Sequence, residues 1–309
     1  MNIFAQIGQE FSVLPHVASW GDAQNIFQNT LSGRPKHWLL PVHACKAVGG
    51  EPKQAVLAVL AIACAHIGIL LVDDMLDADP RGEYHRLGMA ASANLSSTFQ
   101  AAAVYAVARS IRDDASKLVA IESFNEMFLS TSFGQFLDVQ SPVNESAYWK
   151  VTQTKSSPFF GVALQIGALA GGSSLETAKQ LKQLGCLYGE MIQLHDDMHD
   201  SMEIPANPDW LQGRKPLPIL FASQVEHPER ERFLQLSQSI MDLDTLQEAQ
   251  EILIHCGAIS YCADQLIRKH QTAMNLLKHA SLIDPKPVSE LLDEIIAPVH
   301  ALLKTVNVD

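Results

Sequence analysis

Apolar residues recur every three or four positions through most of the chain, in stretches dominated by Ala, Leu, Ile, Gln and Met. That spacing is the period of an amphipathic α-helix. Alternating Val/Ile/Thr runs closed by Asn-Gly or Asp-Gly turns, the mark of strands, are absent. The pattern therefore predicts an all-α protein. Its punctuation falls at Gly33–Pro35, Gly49–Pro52, Asp79–Gly82, Ser141–Asn144, Gly171–Ser174, Ile204–Pro208 and Asp284–Pro287. These breaks predict about ten helices joined by short polar turns. No break is long enough to separate domains and no fixed repeat is visible, so residues 1–309 read as one large helical domain.

Ala55 to Val72 stands out as eighteen residues without a formal charge, close to the shortest length that spans a bilayer. It is Ala-rich, carries His66 at what would be lipid depth, and runs directly into Asp73 and Asp74 instead of a basic or aromatic anchor. Those features predict a helix buried in a protein core, apolar on every side, and no transmembrane segment. Phe159 to Ala170 is a second such stretch, too short to span.

Composition narrows the function. The chain has 47% hydrophobic and 18% charged residues, so it can bury a sizeable core. Its 34 acidic side chains against 22 basic ones leave a net charge of -12, which disfavours nucleic acid or an anionic membrane as partner. A phosphorylated substrate would have to be met by a local device. The five cysteines, Cys45, Cys64, Cys186, Cys256 and Cys262, form no C-x-x-C pair and predict reduced, buried thiols. The opening MNIFAQIGQEF lacks a secretory pattern, and a cytoplasmic location is expected.

The device is written at the end of the apolar helix, as Asp73-Asp74-Met75-Leu76-Asp77. Residues four apart share a helix face at about 6 Å, so Asp73 and Asp77 point one way with Asp74 beside them. Such a cluster after a long apolar run is costly unless a cation compensates it. The pattern recurs as Asp196-Asp197-Met198-His199-Asp200, behind Gln193-Leu194-His195. Two D-D-x-x-D motifs describe a hard-cation site, and all-oxygen ligation suits Mg²⁺ bridging carboxylates to substrate phosphates. His195 and His199, also four apart, would be the beginning of a transition-metal site, but no glutamate base or third ligand accompanies them.

From about Leu31 to Ala222 the sequence resembles the trans-isoprenyl diphosphate synthases. LLVDDMLD resembles their first aspartate-rich motif and HRLGMAASANL the stretch after it. Phe133 to Asp138 (FGQFLD) resembles their G-Q-x-x-D element, and Lys155-Ser156 their K-T pair. GEMIQLHDDMHD resembles the second aspartate-rich motif, and Asp209 to Pro218 (DWLQGRKPLP) is similar to D-L-x-x-G-K-x-T-L-P.

The resemblance implies an all-α bundle in which the two aspartate clusters face each other across a cavity and hold three Mg²⁺ ions against an allylic diphosphate. It implies Asp73, Asp77, Asp196 and Asp200 as chief ligands, with Asp74 and Asp197 in the same clusters. Lys155, Ser156 and Gln193 would serve the departing diphosphate or the forming cation, with Gln135, Asp138 and Arg214 on the substrate. It also suggests a homodimer. The isopentenyl diphosphate site departs from the family pattern. G-K-R-x-R-P is replaced by Gly33-Arg34-Pro35-Lys36-His37-Trp38, and R-R-G is reduced to Arg81-Gly82. Arg34, Lys36, His66 and Arg81 are the residues left to grip that diphosphate. The expected G-K is Gly213-Arg214, and Pro216 replaces the threonine.

Three functions follow: head-to-tail condensation of an allylic diphosphate with isopentenyl diphosphate; terpene cyclisation or prenyl transfer to another acceptor; or a quiet subunit of a two-subunit synthase, against which the intact aspartates speak. Gly68 and Ile69, one turn below Asp73, and Cys64 and Ala65, one turn further, carry no aromatic ring. An open tunnel for a product of roughly twenty carbons or more is expected, with Phe99 the candidate filler if a neighbouring helix closes it.

Overall fold

The structure, a computed structural model, describes residues 2–306, and their side chains except those of Asp209 and 301–306. Among the described residues there are sixteen α-helices, two of them single turns, and no strand. In chain order they are α1 (Ile3–Ser12), α2 (Gly21–Ser32), α3 (Leu40–Ala47), α4 (Val56–Leu76), α5 (Tyr84–Leu87), α6 (Met89–Ser110), α7 (Asp114–Val139) and α8 (Glu145–Lys155). Then follow α9 (Ser157–Ala170), α10 (Leu175–Asp200), α11 (Pro208–Leu211), α12 (Leu217–Gln224), α13 (Arg230–Leu236), α14 (Leu243–His255), α15 (Ala258–His279) and α16 (Lys286–Val306).

The all-α class is as the sequence predicts, and every predicted break falls at a helix junction, the last two running into the first residues of α11 and α16. The extra helices arise at breaks with weaker signals. Ile111 to Asp113 separates α6 from α7, and Ser156 alone separates α8 from α9. Several starts are capped: the Asn2, Asn144 and Asp242 side chains accept the N–H of Ala5, Ala147 and Thr245 at 3.2, 2.9 and 3.0 Å.

The chain divides into two compact units. The first holds the chain up to Thr131 together with Pro158–Cys186 and Leu276–Ser289. At its centre is α4, packed along α6 and against α1 and α2. Most of its apolar run is wholly buried. The helical run Pro52–Leu76 is the one among the described residues long and apolar enough to cross a membrane; here it is the core helix of this unit. An aromatic column backs it: Phe11 stacks on Phe27 at 3.8 Å between ring centroids and on Phe99 at 5.7 Å, and Trp38 follows Phe27 at 5.9 Å.

The second unit holds Ser132–Ser157, Leu187–Asn275 and the chain from Glu290 onward. Its core gathers Trp210, Ile219, Phe233, Leu236, Leu246 and Leu253 from α11 to α14. All five cysteines are free thiols, as predicted, but only Cys45, Cys64 and Cys262 are buried; Cys186 and Cys256 are half-buried.

Candidate active site

In the first unit α4 carries Asp73 and Asp74 into its last turn, and the Asp77 N–H still bonds to the Asp73 carbonyl at 2.8 Å. Asp73 and Asp77 are therefore one helical turn apart on one face, as the spacing requires. All three carboxylates are half-buried. Burial pushes the Asp74 carboxyl up to about 6, Asp79, Asp73 and Asp77 push the same way, and Arg81 opposes them. A carboxylate this crowded calls for a cation.

The expected grip on a second diphosphate takes an unexpected form. Arg81 is clasped by Asp79, with Nε and a terminal nitrogen donating at 3.1 and 2.8 Å. Its side chain is otherwise 85% exposed. Arg34 and Lys36 are exposed, Arg34 with φ +49°. His66 is held by the Trp38 indole N–H, which donates to Nδ1 at 3.2 Å. That bond leaves Nε2 to carry the proton of a neutral ring. Burial lowers the His66 pKa to about 3, and the neighbouring His37 adds to this. Burial likewise lowers His37 to about 4. The two rings meet edge-on at 4.5 Å, with Phe159 at 5.8 and 6.0 Å from them. The position where the resembled pattern has an arginine is thus a neutral imidazole.

The expected tunnel wall is closed. Cys64 and Ala65 are 0% exposed, so no water-sized void touches them. Gly68 faces α6 instead of open space: a Cβ there would lie 3.2 Å from the Ser96 carbonyl oxygen and 3.3 Å from the Gln100 nitrogen. Ser96 Oγ donates to the Gly68 carbonyl at 2.7 Å, tying the two helices. Small residues here serve close helix packing, and Phe99 of α6 is buried with its ring stacked on Phe11. Of the four positions, Ile69 alone keeps partial exposure.

In the second unit, Gly134 of α7 lies against the Lys155 backbone at the end of α8, an approach any Cβ would block. One turn after it Asp138 meets Lys155, Nζ to Oδ2 at 2.6 Å, both side chains 20% exposed. Gln135, between them in sequence, is buried. A relay follows. Ser156 Oγ donates to Gln193 Oε1 at 2.8 Å, Gln193 Nε2 donates to Asp197 Oδ1 at 2.8 Å, and the Leu217 N–H donates to Asp197 Oδ2 at 2.9 Å.

The second cluster is divided in its exposure. Asp197 is 5% exposed and both its oxygens accept hydrogen bonds inside the unit, so in this structure it positions Gln193 and the start of α12. Burial raises its pKa to about 6 against the lowering effect of those bonds. Its neighbour Asp196 is open, 59% exposed, with His195 Nδ1 at 3.5 Å. Partial desolvation holds Asp196 above the ordinary carboxylate range, with His195 and His199 opposing. His199 is 3.8 Å from Glu203, so the two histidines pair with acids and do not converge as a transition-metal half-site. Asp200 is half-buried on the same helix.

Asp138, Lys155, Gln193, Asp197 and Arg214 line one cavity of about 100 Å³, joined by Tyr148, Thr152 and Lys215, which the sequence reading missed. A signal for two of them was present: Tyr148, Thr152 and Lys155 lie at i, i+4 and i+7, one face of α8. The cavity juxtaposes cations and carboxylates with an amide of fixed orientation, which suits holding an anionic leaving group.

Among the described residues no three carboxylate, imidazole or thiolate groups converge on one point. The donor chemistry nevertheless fits a hard cation. The donors are carboxylates alone, and Asp74 is driven toward neutrality first by burial and then by its like-charged neighbours.

The family model described as polyprenyl synthetase matches residues 24–253, most of the chain. The chain belongs to the polyprenyl synthetase family. Among characterised relatives, it is 26% identical to the geranylgeranyl pyrophosphate synthase of Geoglobus acetivorans, over 82% of this chain and 81% of that one. It is 28% identical to the short chain isoprenyl diphosphate synthase of Methanothermobacter thermautotrophicus, over 75% and 76%. Among solved structures, the geranylgeranyl pyrophosphate synthetase of Pyrococcus horikoshii superimposes with a TM-score of 0.83 at 20% identity, covering 95% of this chain and 98% of that one. The fold is therefore shared over 95% of the chain, more than the 24–253 stretch that the family model matches.

Proposed function

We propose that the chain is a Mg²⁺-dependent trans-prenyltransferase that ionises an allylic diphosphate and couples it head-to-tail to isopentenyl diphosphate. Asp73 and Asp77, with Asp74 beside them, are the carboxylates of the first unit that would hold Mg²⁺, and Asp196 and Asp200 those of the second. Bound Mg²⁺ supplies Lewis-acid stabilisation of charge growing on the leaving diphosphate. The protein's own part is preorganised electrostatics. Lys155 exchanges Asp138 for the diphosphate, Arg214 adds a second cation, and Gln193 offers an amide that Ser156 and Asp197 keep in one orientation. The observation that carries this reading is the relay Ser156–Gln193–Asp197 beside the Lys155–Asp138 pair, at the motif positions of the family.

A product of roughly twenty carbons or longer is part of the proposal. It is supported by relatives named for geranylgeranyl diphosphate synthesis and no longer by residues 64, 65 and 68. One domain, cytoplasmic operation and a homodimer complete it.

A second reading has its own support. With a neutral His37 where the resembled pattern has an arginine and Arg81 clasped by Asp79, the acceptor half lacks two of its expected cationic contacts. Cyclisation, or transfer to a different acceptor, is favoured by that observation. Incubation with Mg²⁺ and each allylic diphosphate, with and without isopentenyl diphosphate, separates the two. Longer diphosphates formed only with isopentenyl diphosphate establish condensation. Hydrocarbons or alcohols formed without it establish the second reading, and no consumption of any allylic diphosphate refutes both.

A further inference from the structure

At the far end of α4 from Asp73 the first unit holds another cavity, of about 460 Å³. It opens where the turn preceding α4, the last turn of α6, the first turn of α7 and the end of α9 come together. Lys53 stands on one side, Arg109 and Arg112 on another, and Ser110, Ser116 and Ser173 between them; Leu57 and Leu169 form an apolar floor. Leu57, on the floor, stands sixteen residues before Asp73 on α4, so this cavity lies roughly 25 Å from the first aspartate motif.

Three features set it apart. The first is charge. In a chain of net charge -12 several cations are matched by carboxylates, as in Arg86 with Asp22 and Glu83 or Arg232 with Glu248. Here three cations share one concavity with a single carboxylate, Asp113. That carboxylate is committed to the helix start, where it accepts the Ser116 N–H at 2.8 Å. Arg109 lies over the Tyr105 ring at 5.4 Å, while Lys53 and Arg112 enter no ion pair.

The second feature concerns an alternative use for those cations. Helix C-termini attract positive charge, and α6 and α9 both end here. The α9 carbonyls are already served: Gly167, Ala168 and Leu169 accept the amides of Gly171, Ser173 and Gly172 at 3.0, 3.1 and 3.0 Å. Gln54 Nε2 donates to the Ala170 carbonyl at 3.5 Å. Capping therefore leaves Lys53 and Arg112 unassigned. The third feature is Ser173, whose Oγ is buried without a hydrogen-bond partner. Turned about its Cα–Cβ bond, this unpaired hydroxyl would offer a donor to an acceptor-rich ligand in the cavity.

We propose that this cavity is a second, non-catalytic anion site that binds a diphosphate group. Lys53, Arg109 and Arg112 neutralise it, Ser173 donates to it, and Leu57 and Leu169 accommodate the start of an alkyl chain if one is attached. Two molecules carry that chemistry, inorganic pyrophosphate and a prenyl diphosphate, and the inference stands independently of how the aspartate motifs are read.

The test is calorimetric titration of the full-length chain in excess EDTA, so that metal-dependent binding is silent, with inorganic pyrophosphate and separately with geranyl diphosphate. One site per chain is expected. The Lys53→Gln/Arg112→Gln double variant should weaken it by at least about tenfold, the scale of losing two charge-assisted contacts in a partly open site. Ser173→Ala, a change too small to threaten folding, should weaken it by about threefold. Tighter binding of geranyl diphosphate than of pyrophosphate assigns the ester as ligand, and equal binding assigns pyrophosphate. No metal-free binding by the parent, or the same affinity in both variants as in the parent, overturns the proposal.

Discussion

Adjacent carboxylates in one motif have different work, as Asp196 and Asp197 show. Asp196 is open to solvent, while Asp197 is sealed and spends its oxygens on Gln193 and the Leu217 amide. Asp196→Ala should lower Mg²⁺-dependent turnover by orders of magnitude while leaving the thermal midpoint unchanged, because only cation binding is lost. Asp197→Asn should behave otherwise. Its oxygen can keep the Leu217 N–H, but its new NH₂ opposes the NH₂ of Gln193, which must flip; Ser156 Oγ then accepts where it donated. Removing a buried charge offsets that rearrangement. The midpoint near pH 7.5 should stay level or rise while turnover falls at least about tenfold, the cost of one misdirected contact at the reacting centre. An Asp197→Asn enzyme at parental rate would return Asp197 to a purely structural part.

The histidines set the acid limit at the same scale. His37 and His66 have folded pKa values of about 4 and about 3 against 6.5 unfolded. Their neutral burial thus contributes fully above pH 6.5 and is lost as pH falls toward 4. Asp74 and Asp197, raised from 3.8 to about 6, act oppositely and favour the fold as pH falls below 6. At pH 5.5 each histidine costs about 1.4 kcal/mol, whereas each carboxylate returns less than about 1 kcal/mol, and Asp74 less again because it is half-exposed. The histidines win. Metal-free protein should lose stability from pH 7.5 to 5.5 in chemical denaturation, and His37→Gln should flatten that loss by roughly 1.4 kcal/mol. A stability that rises on acidification would contradict the neutral-pair geometry.

The prominent elements were legible because α4 combines an apolar run with a charged end, and both properties survive without tertiary information. The same logic failed at Gly68. A missing side chain reads identically whether it opens a tunnel or admits a neighbouring helix, and only the position of α6 decides. Gly68→Ala gains helix propensity of about 1 kcal/mol but presses on immovable α6 backbone at a similar cost, so it should be near neutral. Gly68→Phe has no such balance and should destabilise by about 3 kcal/mol or more, read from denaturant midpoints. A Phe variant as stable as the parent with a shorter product would restore the tunnel wall. Asp79 and Leu217 were invisible for a related reason: one is a loop acid and the other acts through a backbone amide, and neither residue type announces the partner it meets. His37 could be seen only as a departure, because its neutrality comes from the surrounding rings.

At the scale of the whole molecule, the net charge of -12 opposes association, so any self-assembly must rest on apolar contact. Within the second unit Phe133, Phe136, Val139 and Val143 are 50%, 58%, 51% and 74% exposed, with the two phenyl rings 6.1 Å apart. In water four large apolar side chains so close together are costly, each forgoing about 1.5 to 3 kcal/mol of burial. Such a patch marks an interaction surface. A second copy of the chain is the expected occupant, since a homodimer is implied by the family resemblance. Phe133 lies next to Gly134, where α7 meets the Lys155 backbone, so covering this face would also brace the Lys155–Asp138 pair. Phe133→Glu should therefore shift sedimentation equilibrium from dimer toward monomer without a change in helical content, and should lower turnover with it. High salt should partly restore the dimer, because the added repulsion is screened over about 10 Å at 0.1 M. A parent that sediments as a monomer at micromolar concentration, or a Phe133→Glu variant that remains dimeric, would assign this face to some other partner.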